Sequence, residues 1–310
     1  MEKFMVSQSP HIQHEDSSKG IMIDVIIALF PLAVAGVILF GWKAALIMAI
    51  CVAVAVATEF VCCKIMKREN SIGDCSAAVT GLILAMNLPP EIKWWMAVIG
   101  SIVAIGVVKM MFGGLGHNFA NPAITARIVL LVSFPTAMTK WTAPLGAAEL
   151  ATSATDVTTL ATPLTTDQYS YKQLLLGQVP GCIGETFKLL IICGALYLFA
   201  RRVISPVTPL SMVGTVALLS FIFGENPLYM ILSGGLLFGA VFMATDYVTS
   251  PINRKGKLIF GIGCGAITFI IRHFGYLPEG VSYAILLMNL LVPYINKITV
   301  PKPFGWEAAK

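Results

Sequence analysis

The chain is written in long apolar runs separated by short polar ones. Ile21–Phe40, Ala44–Cys63 and Val207–Phe223 are almost free of charge, and each approaches or reaches the roughly 20 apolar residues needed to cross about 30 Å of hydrocarbon. Read this way from end to end, the pattern predicts ten helices, centred near residues 30, 53, 81, 102, 127, 193, 215, 236, 264 and 287. The third and fifth are short enough to be broken or tilted. The expected fold class is an all-α polytopic membrane protein of about ten transmembrane helices. One long polar stretch, residues 134–186, interrupts it.

Composition agrees: 57% of the residues are hydrophobic and 12% charged, with a mean hydropathy of +0.82, outside the range of an ordinary soluble domain. The charge then orients the pattern. With a cytoplasmic N-terminus, 14 of the 21 basic residues fall on inside segments, among them Lys64, Lys67, Arg68, Arg201, Arg202, Arg254, Lys255 and Lys257, as the positive-inside rule requires. Both termini are then cytoplasmic, and the chain is expected in the inner (cytoplasmic) membrane with lipid as its surroundings. The net charge of +5 reports this orientation; no basic stripe interleaved with aromatics points to nucleic acid. Glu2, His11, His14, Glu15 and Asp16 make the first 20 residues unlike a cleaved signal peptide.

Shifting the chain by 162 residues aligns Pro89–Leu115 with Pro251–Leu277 without a gap, with seven identities in 27 positions, including Lys93/Lys255, Ala104/Ala266, Phe112/Phe274 and Gly113/Gly275. Composition alone would supply roughly two or three. Each half would hold five spans, an odd number, so the second enters the membrane reversed: an inverted repeat, as in many transporters. The expected plan is a cytoplasmic segment (1–20), a first five-helix repeat (21–133), an outer loop (134–186), a second repeat (187–297) and a cytoplasmic tail (298–310).

Two segments carry candidate chemistry. In "KMMFGGLGHNFANPAITAR" (Lys109–Arg127), glycines permit tight turns, and Asn121-Pro122 supplies an N-cap followed by proline at the first helical position. The helix start, with Lys109 and Arg127, suits an anionic or electron-rich group; a purely structural turn between spans is the competing reading. The second segment is "TDVTTLATPLTT" (Thr155–Thr166), rich in hydroxyls and on the outer side. The seven cysteines fall mostly within spans and show neither CxxC nor zinc-like spacing, so they read as buried apolar thiols.

The glycine-rich "FGGLGHNFANPA" with Arg127 beyond it, and "DVTTLATPL", resemble the family of the D subunit of the Rnf complex and the B subunit of the sodium-pumping NADH:quinone oxidoreductase. In that family a flavin transferase joins FMN through its phosphate to a threonine in a pattern close to D-x-x-[ST]-x-A-T. Asp156, Thr159, Ala161 and Thr162 match it, so the resemblance implies that Thr162 carries the FMN. Glu149, Thr152, Ala154 and Thr155 repeat the spacing with Glu for Asp, which makes Thr155 the alternative. Leu160 departs from the glycine often found at its place. The resemblance further implies a second, non-covalent flavin, riboflavin, in the helix bundle, and a role in electron flow from reduced ferredoxin to NAD coupled to export of sodium ions or protons.

The chain has neither a GxGxxG fingerprint nor ferredoxin cysteine spacing, so other subunits of such a complex would bind NAD and ferredoxin. Asp24, Glu59 and Asp246, acids within or at the edge of spans, are costly in hydrocarbon and are the candidate ion-pathway residues; Thr245 and Thr249 stand near Asp246 as further oxygen ligands for a hard cation. A secondary transporter or channel is the alternative from another class. The topology is tested by labelling: a Thr166→Cys variant should react with an impermeant maleimide from outside, and Lys67→Cys only from the cytoplasm; the reverse pattern would refute the orientation.

Overall fold

The computed structural model describes residues 17–68, 71–142, 144, 163–164, 169–275 and 280–300, and among these it is helical with no strand. A helical run lies at each of the ten expected centres. In order they are α1 (Ser18–Phe40), α2 (Trp42–Ile65), α3 (Ser76–Met86), α4 (Trp94–Ile102, running on as a π-helix through Val103–Met110), α5 (Pro122–Ser133), α6 (Lys188–Ala200), α7 (Val207–Ile222), α8 (Leu236–Phe238, continued by the π-helix Gly239–Met243), α9 (Arg254–Phe274) and α10 (Val281–Thr299). By length and composition α1, α2, α9 and α10 can each cross a bilayer, whereas α3 to α7 are shorter apolar helices.

Local sequence sets the ends. The Ser17 hydroxyl caps α1 by accepting from Gly20 N at 3.1 Å, and Gly41, at φ 78°, turns the chain straight into α2. Asn121 Oδ1 accepts from the N–H groups of Ala123 and Ile124 at 3.0 and 3.3 Å, and Pro122 opens α5 as expected. The eighth run differs from the single span expected near residue 236. A short helix, Pro227–Leu232, stops at Ser233, and Gly234, at φ 59°, breaks the path before α8 begins.

The bundle packs α2 against α3 and α4, α7 against α9, and α9 against α10; α1 meets α6, and α5 meets α10. Lipid would face the outer ring of exposed apolar side chains, including Phe30, Ile38, Phe221 and Ile298. Residues 178–187, at the end of the long loop, do not stay outside. Ile183 N donates to Leu88 O (3.2 Å) and Gly184 N to Met86 O (2.8 Å), so this segment caps the open end of α3 and buries Cys182, Ile183 and Glu185.

Close approach of α9 to α7 depends on glycine. Gly261 and Gly265 are four residues apart on the facing side, and a Cβ on Gly265 would lie 2.6 Å from Met212 O. Gly214, by contrast, has open space around it. Gly265→Ala should therefore cost about 1–3 kcal/mol through overpacking and lower the thermal unfolding midpoint in detergent, while Gly214→Ala should leave it unchanged or raised. Equal midpoints for the two variants would contradict the packing.

Candidate functional site

At the end of the bundle expected to face the cytoplasm, α2, α3 and α4 bring charge together in the interior. Glu59 on α2 and Lys109 on the π-helical turn of α4 form a buried ion pair with Nζ to Oε1 of 2.7 Å and side chains 0% and 3% exposed. Lys109 also donates to Ser76 Oγ (2.6 Å), Ser76 Oγ donates to Asp74 Oδ1 (2.6 Å), and Ser71 Oγ donates to Glu59 Oε1 (2.8 Å). The π-helical winding is a feature often found where a side chain must be re-aimed. An ammonium in this setting is tolerable because its carboxylate and hydroxyl partners replace water.

Lys109 and Ser76 form part of the wall of a cavity of about 290 Å³ between the two halves of the chain. Its walls are apolar where Val25, Ile83 and Phe242 line it, and its rims carry Asn118, Asn121 and Asp246. Its volume is at the small end of ordinary ligand sites, about 300–1,000 Å³, and it shares their pattern of apolar walls with a few polar groups.

The expected ion-pathway acids are not gathered. Glu59 is held by Lys109 as above. Asp24 accepts from Tyr197 Oη (2.8 Å) and faces Arg201 Nη2 (3.3 Å), joining α1 to α6. Asp246, just past α8, accepts from Thr249 Oγ1 (2.8 Å), while Thr245 Oγ1 donates to Val241 O (2.5 Å). Among the described residues no three His, Cys, Asp or Glu side chains form a metal-binding group.

The sequence suggests Arg127 beside Lys109; the structure takes it elsewhere. Six residues beyond Asn121 on α5, it lies toward the opposite end, buried, with Nη1 2.8 Å from Ser282 Oγ, 3.3 Å from Glu185 Oε1 and 3.5 Å from Asn87 Oδ1, and Nη2 3.5 Å from Cys182 Sγ. The helix start expected to offer free N–H groups to a ligand is met by Asn121's own side chain. Lys188 Nζ donates to Glu185 O and Gly234 O, and Arg272 donates to Met230 O (2.9 Å) and Ser233 O (3.2 Å). Burial pushes the Cys182 thiol up to about 12, against the opposing pull of Arg127, so it stays protonated, in keeping with an inert thiol. The flavin-site residues Asp156, Thr159, Ala161 and Thr162, and the alternative Thr155, lie outside the described residues. Leu164, two positions after Thr162, sits over Gly234: a Cβ there would lie 2.8 Å from Leu164 Cδ1 and 3.1 Å from Arg272 Nη2.

The sequence matches the model of the NQR2, RnfD, RnfE family over residues 5–305. The chain belongs to this family. It is 46% identical over 303 residues to the D subunit of the Na(+)-translocating ferredoxin:NAD(+) oxidoreductase complex of Acetobacterium woodii, covering 97% of this chain and 95% of that one. It is also 42% identical to the D subunit of the proton-translocating ferredoxin:NAD(+) oxidoreductase complex of Clostridium ljungdahlii, over 97% and 96% of the two chains, and 41% identical to the D subunit of the ion-translocating oxidoreductase complex of Stutzerimonas stutzeri, over 93% and 92%.

Glu59 and Lys109 stand out separately in the sequence, and the 50 residues between them hide their contact. Glu185 escapes the sequence pattern; the available signal was an acid and a base, Glu185 and Lys188, three residues apart at the start of an apolar run. Removing only the cation of the inner pair by Lys109→Met leaves a buried carboxylate uncompensated and should destabilise by about 3–5 kcal/mol. Adding Glu59→Gln should recover part of that loss. Thermal unfolding of the four-member cycle measures the coupling, and additive single effects would show that the pair does not act as a unit.

Proposed function

We propose that this chain is the membrane electron-carrying subunit of a complex that passes electrons from reduced ferredoxin to NAD and exports sodium ions or protons. The observation that carries this reading is the match along nearly the whole chain to relatives named as the D subunit of such complexes. Other subunits of the complex supply the ferredoxin and NAD sites, and a flavin transferase matures this one. The two relatives just named differ in the ion their names give, so membership of the family does not choose between sodium and protons here.

FMN joined through its phosphate to Thr162, with Thr155 as the alternative, is part of the same proposal. It rests on the match of Asp156, Thr159, Ala161 and Thr162 to the family's attachment pattern. The same proposal puts the second flavin, riboflavin, in the cavity between the halves, whose apolar walls suit a flat ring system and whose lining includes Lys109 and Asn118 as polar groups for the ring's heteroatoms. A flavin held there would accept and pass on electrons one or two at a time. The chain's own part is to shield that ring from water with Val25, Ile83 and Phe242 and to hold positive charge at one edge through Lys109. Asp24, Glu59 and Asp246 remain the carboxylates proposed for ion handling, each as a separate station.

We also propose that the ten runs all span the membrane, as two inverted halves of five. Support comes from paired contacts at the repeat's own offset of 162. Arg127 on α5 donates to Asn87 after α3; the positions 162 residues later are Asn289 on α10 and Thr249 after α8, and Asn289, with its amide turned to suit its neighbours, donates to Thr249 O at 3.0 Å. Attachment is tested with Thr162→Ala, which should abolish the flavin fluorescence of the denatured protein band and leave membrane insertion intact. Loss with Thr155→Ala and survival with Thr162→Ala would move the site, and a wild-type band without flavin, from cells holding the transferase, would refute covalent attachment.

A further inference from the structure

A second cavity, of about 480 Å³, opens where α6 passes into α7 and the segment after α8 passes into α9, at the end of the bundle expected to face the cytoplasm. Arg202, Arg254 and Lys257 line it, along with the hydroxyls of Ser205 and Ser250, and no carboxylate does among the described residues. Unlike the buried cations Lys109, Arg127 and Lys188, which have acid or carbonyl partners, Arg202 and Arg254 are exposed and Lys257 half-buried, so their charged ends are open to a ligand entering the recess. Arg202, at φ 56°, is the left-handed residue that ends α6, with its own N donating to Phe199 O and Val203 N donating to Leu198 O, each at 3.0 Å, and this turn brings it to the recess.

Helix polarity makes the arrangement more unusual. Arg254, Lys255 and Lys257 stand in the first turns of the 21-residue α9, which has no acid in its first turn, so positive side chains surround the positive pole of the helix. The capping position is not used against this: Asn253 makes no cap hydrogen bond and donates its amide to Thr299 O at 3.1 Å. Like charges gathered around one cavity repel, and an anion bound among them relieves that repulsion. In the lining of the cavity, Ile252 is 81% exposed and Tyr247 about half exposed, an apolar rim beside a basic recess.

We propose that this recess binds the phosphate of an anionic phospholipid of the cytoplasmic leaflet, with Arg202, Arg254 and Lys257 on the headgroup and Ile252 and Tyr247 against its acyl chains. Basic pockets between transmembrane helices at this face are suited to such headgroups. The apolar rim selects a lipid over free phosphate, which would gain nothing from it. The site rests on the proposed orientation but not on any flavin, so its test and the test of electron carriage fail separately.

Native mass spectrometry of the full chain purified in mild detergent reads the site directly. The wild type should retain an anionic phospholipid that washing in inorganic phosphate does not displace. Arg254→Gln with Lys257→Gln should weaken retention roughly thirtyfold, from about a fivefold loss per basic group near the surface, and Lys257→Gln alone should show the smaller loss if the double variant folds poorly. Lys255→Gln, on the same turn but outside the recess, should retain lipid as the wild type does. Absence of bound lipid in the wild type, an adduct of phosphate only, undiminished retention in the double variant, or equal loss with Lys255→Gln would each overturn the proposal.

Discussion

The centre of the bundle depends on one buried guanidinium. Arg127 cannot lose its proton, and its N–H groups lie where water does not reach, so protein must meet both its charge and its hydrogen-bonding demand. Groups that do so come from three places in the chain: Asn87 after α3, Cys182 and Glu185 before α6, and Ser282 on α10. Satisfying that one side chain thereby fixes the end of α3, pulls the last part of the long loop into the core and joins α5 to α10. Asn87 and Cys182 are tied to each other as well, through Cys182 Sγ to Asn87 O at 3.3 Å.

The two ends of the bundle solve the same problem with similar parts. Lys109 closes α4 by donating to Ser76 at the start of α3, and Arg272, near the end of α9, donates to Ser233 just before α8. In both places a cation at the end of a long helix secures the beginning of a short one, where backbone groups would otherwise be exposed at membrane depth. The inner arrangement leaves a cavity beside Lys109. At the other, the Ser233–Gly235 turn lies under Leu164, close in sequence to the threonine proposed to carry FMN.

What could be read in the sequence follows from what is local. Helix positions came from runs of apolar residues, and the start of α5 came from Asn121-Pro122, because both signals lie within a few residues of what they determine. The break at Ser233–Gly235 was legible in principle, as a double glycine, but lay inside a run whose average hydropathy resembled a span. The Gly261/Gly265 face of α9 was equally visible, yet only the partner helix shows which glycines are pressed. The polar sites were least legible. Glu59 with Lys109, and Arg127 with Ser282, are 50 and 155 residues apart, and only the folded path makes them neighbours.

The same buried bonds bear on the rival reading as an alternating-access transporter. Such a mechanism moves one half of the bundle against the other and needs an interface that can slide. Here the halves are joined by directional polar contacts: Asn121 Nδ2 to Met243 O at 3.1 Å and Arg127 Nη1 to Ser282 Oγ at 2.8 Å. Separating them in hydrocarbon would leave each group unpaired, at about 1–3 kcal/mol for a neutral bond and more for the charged ones. Directional contacts of this kind hold the two halves in register and count against a mechanism that rocks one half over the other.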